Sequence, residues 1–189
     1  MLSSTPNGRQ SGPLAEDGKA GMKADLIKAE RIYSDQKQGL RRVLEIGASI
    51  RTCGMFDDAV GVRYEVLAAS KEPYVGTKSS MELKSFASWA KCEIPTEDVT
   101  AHLTKLQAEK VAGKLTEAQR NFLLTFDGDL TEATAVECSR KEFRVAAACQ
   151  GKGIIGEMPE SLDPRLRCFD VRFTPVGLAV LAVVQGTTR

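Results

Sequence analysis

His102 is the only histidine in the chain, and the five cysteines, Cys53, Cys92, Cys138, Cys149 and Cys168, include no C-x-x-C pair. One imidazole and such spacings do not make a zinc site, which needs four convergent nitrogen and sulfur ligands. The cysteines lie in apolar or strand-like contexts, where a thiol packs as a small hydrophobe. Their odd number and scatter read as reduced and structural, which points to a cytosolic or nuclear setting. Two acidic pairs, in FDD (56–58) and DGD (127–129), have the oxygen ligands a divalent ion takes. Both fall in expected turns, where aspartate is common for backbone reasons. GKGIIG (151–156) is glycine-rich, yet it lacks the GxxxxGK[ST] spacing that cradles phosphates and precedes no evident helix. There is no G-x-S-x-G elbow and no H-E-x-x-H helix. The reading is therefore of a non-enzyme with no metal and no cofactor; a cysteine nucleophile would show itself as a thiol that reacts rapidly at neutral pH.

Binding residues are easier to find. Eight Lys and Arg stand against five acids in residues 1–42, while the whole 189-residue chain carries a formal charge of only +1. The excess includes Lys19, Lys23, Lys28, Arg31, Lys37, Arg41 and Arg42, which could reach lipid headgroups or nucleic-acid phosphates. Each such charge is worth up to about 1 kcal/mol near an anionic membrane. A solvated mixed-charge helix is the other reading of the same residues. The loop KGIIGEMP offers Lys152, Ile154, Ile155 and Met158. Apolar residues in a glycine-rich loop either enter a membrane interface or partner groove, or tuck back onto the core.

These residues need elements to hold them. Residues 1–20 are rich in Ser, Gly and Pro, a composition that does not bury enough surface to fold, and mixed-charge residues follow; 1–41 read as a disordered, weakly basic arm. A globular domain is expected over 42–189. VLEIGASIR (43–51) and VGVRYEVLAAS (60–70) read as strands, the second with Val60, Val62, Tyr64, Val66 and Ala68 on one face. KEPYVGT breaks the chain. Ser79 and Glu82 form an S-x-x-E pattern that predicts a helix start, with Leu83, Phe86, Ala87 and Ala90 on one face and Trp89, the only tryptophan, at its edge. Pro95 opens a second helix with a thin face of Val99, Leu103 and Leu106. TEAQ (116–119) caps a third, with Ala118, Phe122, Leu123 and Phe126 inward. EFRVAAAC (142–149), LRCFDVRF (166–173) and PVGLAVLAVVQ (175–185) read as strands. The apolar run 175–184 is about half a bilayer span. Strands, helices, then strands give an α+β class, expected as one compact domain with a twisted antiparallel sheet against two or three helices.

The order strand (VGVRYEVLAAS), Pro-containing turn (KEPYVGT), capped helix with Trp89 (SSMELKSFASWAK), cysteine-bearing segment, and Gly-rich loop into MPESLDPRLRCFDVRF resembles the matrix protein of rhabdoviruses over roughly 60–185. Pro6 and Pro13 stand isolated, without the PPxY or P[ST]AP motif of animal-virus members, which fits a plant-infecting member better. The resemblance implies a structural protein of the virion that self-associates, condenses the helical ribonucleoprotein and binds the inner face of the envelope during assembly and budding. The partners it implies are further copies of the chain, the viral nucleoprotein–RNA complex, an anionic membrane surface and the viral glycoprotein. It places the protein in the virion and in the host cytoplasm, at the inner membrane face or in the nucleus. On this reading Trp89 is a structural anchor, and heterologous self-contacts can build open helical arrays. The alternative is an RNA-binding nucleocapsid or coat protein, which predicts nucleic-acid binding with a steep salt slope.

Overall fold

Alternation at 60–70 becomes a strand in the computed structural model of the protein, which describes residues 21–52 and 59–187. This strand, β3 (Gly61–Ala68), buries Val62, Tyr64 and Val66 and leaves Val60 outside the core. It pairs antiparallel with β2 (Leu40–Gly47), setting Val43 opposite Tyr64 and Ile46 opposite Val62. On its other side it pairs with β4 (Lys78–Glu82), setting Tyr64 opposite Ser79. Two shorter strands, β1 (Ile32–Ser34) and β5 (Cys92–Ile94), complete an antiparallel sheet in the order β4-β3-β2-β1-β5. Helix α1 (Leu83–Trp89) buries Phe86 and Ala87. Ser79 is not its cap: β4 runs to Glu82, and Glu82 stands at the N-cap without a side-chain bond. The strand 78–82 pairs antiparallel with β3 instead, and that ladder replaces the capping box.

The fold begins well before Arg42, the expected domain start. Ile32, Tyr33 and Ser34 are all buried, and Tyr33 is 0% exposed. Its hydroxyl accepts from the Lys28 backbone N–H at 2.8 Å and donates to the Leu26 carbonyl at 3.2 Å. Burial pushes the Tyr33 phenol up from its ordinary range. The β1–β2 turn is closed by Asp35, whose Oδ1 accepts from the backbone N–H of Lys37 (2.9 Å) and Gly39 (2.8 Å). Residues 21–41 thus belong to the fold, supplying β1 and the start of β2; the expected arm residues 1–20, Lys19 among them, lie outside the described residues.

The antiparallel strands divide between two sheets, and the chain divides into two compact units, Met1–Pro95 and Thr96–Arg189. The α+β class of antiparallel strands and helices stands, with the strands in two sheets where one was expected. In the second unit, α2 (Val99–Ala112) buries Ala108 and Ala112. Helix α3 (Glu117–Leu123) carries the TEAQ capping box: Thr116 Oγ1 accepts from Gln119 N–H, and Gln119 Oε1 accepts from Thr116 N–H. Gln119, Phe122 and Leu123 are its buried residues, while Ala118 stays exposed. The second sheet has the order β6-β8-β7, with β6 (Val136–Ser139) and β7 (Ile155–Glu157) flanking β8 (Cys168–Phe173). Phe169, Val171 and Phe173 of β8 face inward by strict alternation.

Two expected strands are helices. α4 (Phe143–Gln150) covers EFRVAAAC. Its three alanines are the strongest helix formers, and the Ser139 N–H and hydroxyl both bond Glu142 Oε2 at 2.7 Å just ahead of it. α5 (Pro175–Thr187) covers the last apolar run, so the resemblance's final strand is replaced by a helix. Pro175 suits a first helical position, and Thr174 Oγ1 accepts from Gly177 N–H at 2.9 Å. Val180, Leu181 and Val184 are buried at helical spacing. Gly177 is required by close packing, since a Cβ there would collide with the Ile154 carbonyl.

Candidate functional site

The first unit holds a cleft of about 820 Å³ lined by the β1–β2 turn, the β3–β4 connection and the end of α1. Arg41 is one of its lining residues. The guanidinium lies 4.0 Å from the Trp89 ring centroid and 4.6 Å from that of Tyr64. Trp89 in turn packs on Phe86 with centroids 5.3 Å apart, and Phe86 touches Tyr33 and Tyr64. Trp89 therefore anchors the rim of the first core and forms one wall of the cleft. Gly39 is needed here: a Cβ would stand 2.8 Å from Trp89 Cζ2 and 2.9 Å from Asp35 Oδ2.

Side-chain alternation along β2 separates neighbours that look alike in sequence. Arg42 faces its cross-strand partner Glu65 at 3.7 Å, and Arg63 faces Glu45 at 3.4 Å. Arg41 stands among the rings. Its one hydrogen bond goes to a weak acceptor, Met81 Sδ at 3.8 Å, and no ion pair joins it to a carboxylate among the described residues. Burial pulls its pKa below the ordinary range, opposed by Tyr64 and Asp35. Lys37 and Lys78 line the same cleft, so three cations face one carboxylate, Asp35.

Of the sequence-derived cations the fold brings Lys37 and Arg41 together. Arg31 is spent on Glu93 at 3.5 Å and Arg42 on Glu65, while Lys23 and Lys28 are exposed around the Ala24–Leu26 turn. The apolar loop is overturned as an insertion site. Ile154 is 0% and Ile155 1% exposed, and Met158 packs against the second core. Lys152 donates from Nζ to the Lys114 carbonyl at 3.2 Å. β7 pairs with β8 so that Ile155 lies opposite the inward-facing Phe173, and Ile154, just ahead of β7, is buried as well. The exposed apolar tip is elsewhere: Tyr74 is 56% and Val75 47% exposed between β3 and β4, with Lys71 and Lys78 exposed on either side and Tyr74 lining the cleft. An aromatic and a valine in a Lys-flanked, Pro-containing turn were the signal for it.

Burial, then Glu142, pushes the Cys138 thiol up to about 12, and burial pushes Cys149 up to about 11. Both are the reverse of an activated thiol. His102 lies half-buried on α2 with Nε2 unpartnered among the described residues. No group of three His, Cys, Asp or Glu is placed to hold a metal among the described residues, and none of their helices is long and apolar enough to cross a membrane. The FDD pair and Cys53 lie outside those residues. No protein-family model, curated protein or solved structure matches the chain.

Proposed function

We propose that the protein is a structural, matrix-type protein of a rhabdovirus-like particle. It docks on an anionic membrane through its first unit, self-associates, and links the membrane to the nucleocapsid. The observation that carries this reading is the Tyr74–Val75 tip beside Lys37, Arg41, Lys71 and Lys78. An apolar tip among cations is the arrangement that holds a protein at a bilayer surface, the tip entering the headgroup region and the cations meeting anionic lipid. The α+β class and the order strand, turn, helix with Trp89 support the same reading.

Vesicle flotation tests it. The full chain, and a version beginning at Gly21 that keeps the whole described sheet, should float with phosphatidylserine-containing vesicles at low salt and less at high salt. Phosphatidylcholine alone should not float either. Tyr74→Ser with Val75→Ser should reduce flotation without changing the fold. Failure to float with anionic vesicles, together with salt-sensitive RNA binding, would sink the matrix reading in favour of a coat protein.

A further inference from the structure

We propose that the cleft around Arg41 is a receptor for a single phosphate monoester, presented by the headgroup of a membrane lipid. This rests on the membrane reading and sharpens it from a diffuse charged surface to a discrete site. A partly buried arginine is ordinarily paired with an acid. The Arg41 guanidinium instead lies over two rings, and among the described residues its hydrogen bond goes to Met81 Sδ. Stacking occupies the faces of a guanidinium and leaves its N–H edge free, and that planar fork matches two oxygens of a phosphate. The rings also fix the side chain before any ligand arrives, so little rotamer freedom is lost on binding.

The walls suit the same ligand. Lys37 from the β1–β2 turn and Lys78 from the start of β4 also line the cleft, so separate elements contribute cations to it. Asp35 is the opposing charge, but its Oδ1 already accepts two backbone N–H groups of its own turn. Three cations against one committed carboxylate leave the cleft positive. At about 820 Å³ it has the size of a small-molecule site and admits a sugar phosphate or inositol phosphate. The lipid is favoured over a free ester by Tyr74, which lines the cleft while it and Val75 project as the exposed tip. A headgroup seated on Arg41 would bring that tip to the bilayer.

Trp89 is the only tryptophan and stands 4.0 Å from the guanidinium, so its emission reports on the site. Titration of the full chain with soluble inositol 1,4-bisphosphate should give a saturable change in emission. Vesicles with 5% phosphatidylinositol 4-phosphate should bind more tightly than phosphatidylserine vesicles of equal surface charge, and the soluble ester should compete. Lys37→Gln with Lys78→Gln, both exposed, should weaken monoester binding at least tenfold with the circular dichroism unchanged. Arg41→Lys keeps the charge but loses the fork, and should weaken it several-fold. Saturable binding of the soluble ester without preference for the monoester lipid would assign the site to a free phosphate ester. Equal binding to all vesicles of equal charge, with no response to the soluble ester, would overturn the receptor and leave the membrane reading standing. No binding to any anionic vesicle would overturn both.

Discussion

The two units handle their cations in opposite ways. In Thr96–Arg189 four long basic side chains are spent on the fold itself. Arg120 donates to the Ala112 carbonyl at 2.6 Å, Arg140 to those of Asp163 and Leu166, Lys152 to that of Lys114, and Arg172 to Glu157. Those of Arg120, Arg140 and Lys152 go to backbone carbonyls at a helix end and in loops. In Met1–Pro95 the outer face of the sheet follows the same habit, with cross-strand pairs Arg42–Glu65 and Arg63–Glu45. The inner edge does not: Arg41 lies over Tyr64 and Trp89, and its hydrogen bond goes to the weak acceptor Met81 Sδ. Cations used up locally build a scaffold, and cations held in place but left unspent build a binding surface.

The largest expected effect breaks the aromatic floor of that surface. Phe86 is fully buried and touches Tyr33, Tyr64 and Trp89. Phe86→Ala should cost about 3–5 kcal/mol, read from urea unfolding followed by Trp89 emission. A loss below about 1 kcal/mol would mean that the rings do not hold Arg41 in place.

Next in size is Ile154→Ala, which tests the contrast from the other unit. A buried isoleucine truncated to alanine costs about 2–5 kcal/mol, so stability should fall while the folded protein floats with anionic vesicles as before. Unchanged stability with reduced flotation would restore the 150–158 loop as the membrane contact. That loop shows where sequence reading stopped. Ile154 and Ile155 in a Gly-rich segment fit exposure and burial equally, and only their packing into the second core decides. The runs at 142–149 and 175–185 were ambiguous for a related reason: short apolar stretches satisfy both the strand and the helix period. Three alanines in the first, and Thr174–Pro175 ahead of the second, were the discriminating residues. Strand β1 escaped notice because three residues show no period, though Asp35 and Gly39 mark its turn. Strands β3 and β8 and the TEAQ cap were legible because alternation and capping are local. The cleft was not, because Lys37, Arg41, Lys78 and Trp89 meet only through strand pairing and the packing of α1.

The thiols of the second unit give a smaller, pH-gated effect. With folded values near 12 and 11 for Cys138 and Cys149 against about 8.5 unfolded, neutral thiols favour the folded state. That contribution is complete below about pH 8.5 and is lost as pH rises toward the folded values, by at most about 1.4 kcal/mol per pH unit for each thiol. The urea midpoint should fall between pH 8.5 and 10.5, and less steeply in Cys138→Ala. At pH 8 neither thiol should react with a disulfide reagent until the protein unfolds; rapid labelling of the folded protein would revive a cysteine nucleophile.

The smallest effect compares two adjacent arginines. Arg42 holds an exposed cross-strand pair, of a kind worth about 0–1 kcal/mol. Arg42→Gln should therefore change stability by less than about 1 kcal/mol and leave Trp89 emission and vesicle binding close to those of the parent. Arg41→Gln removes the same charge one residue away. It leaves Trp89 and Tyr64 without the cation that stacks on them, a contact worth about 0.5–2 kcal/mol, and should alter Trp89 emission and lower vesicle binding well beyond the Arg42 change. Equal responses from the two would mean that net charge alone governs binding. Unequal responses in the expected direction would assign the difference to the face of β2 on which each side chain emerges, which composition and charge counts do not register.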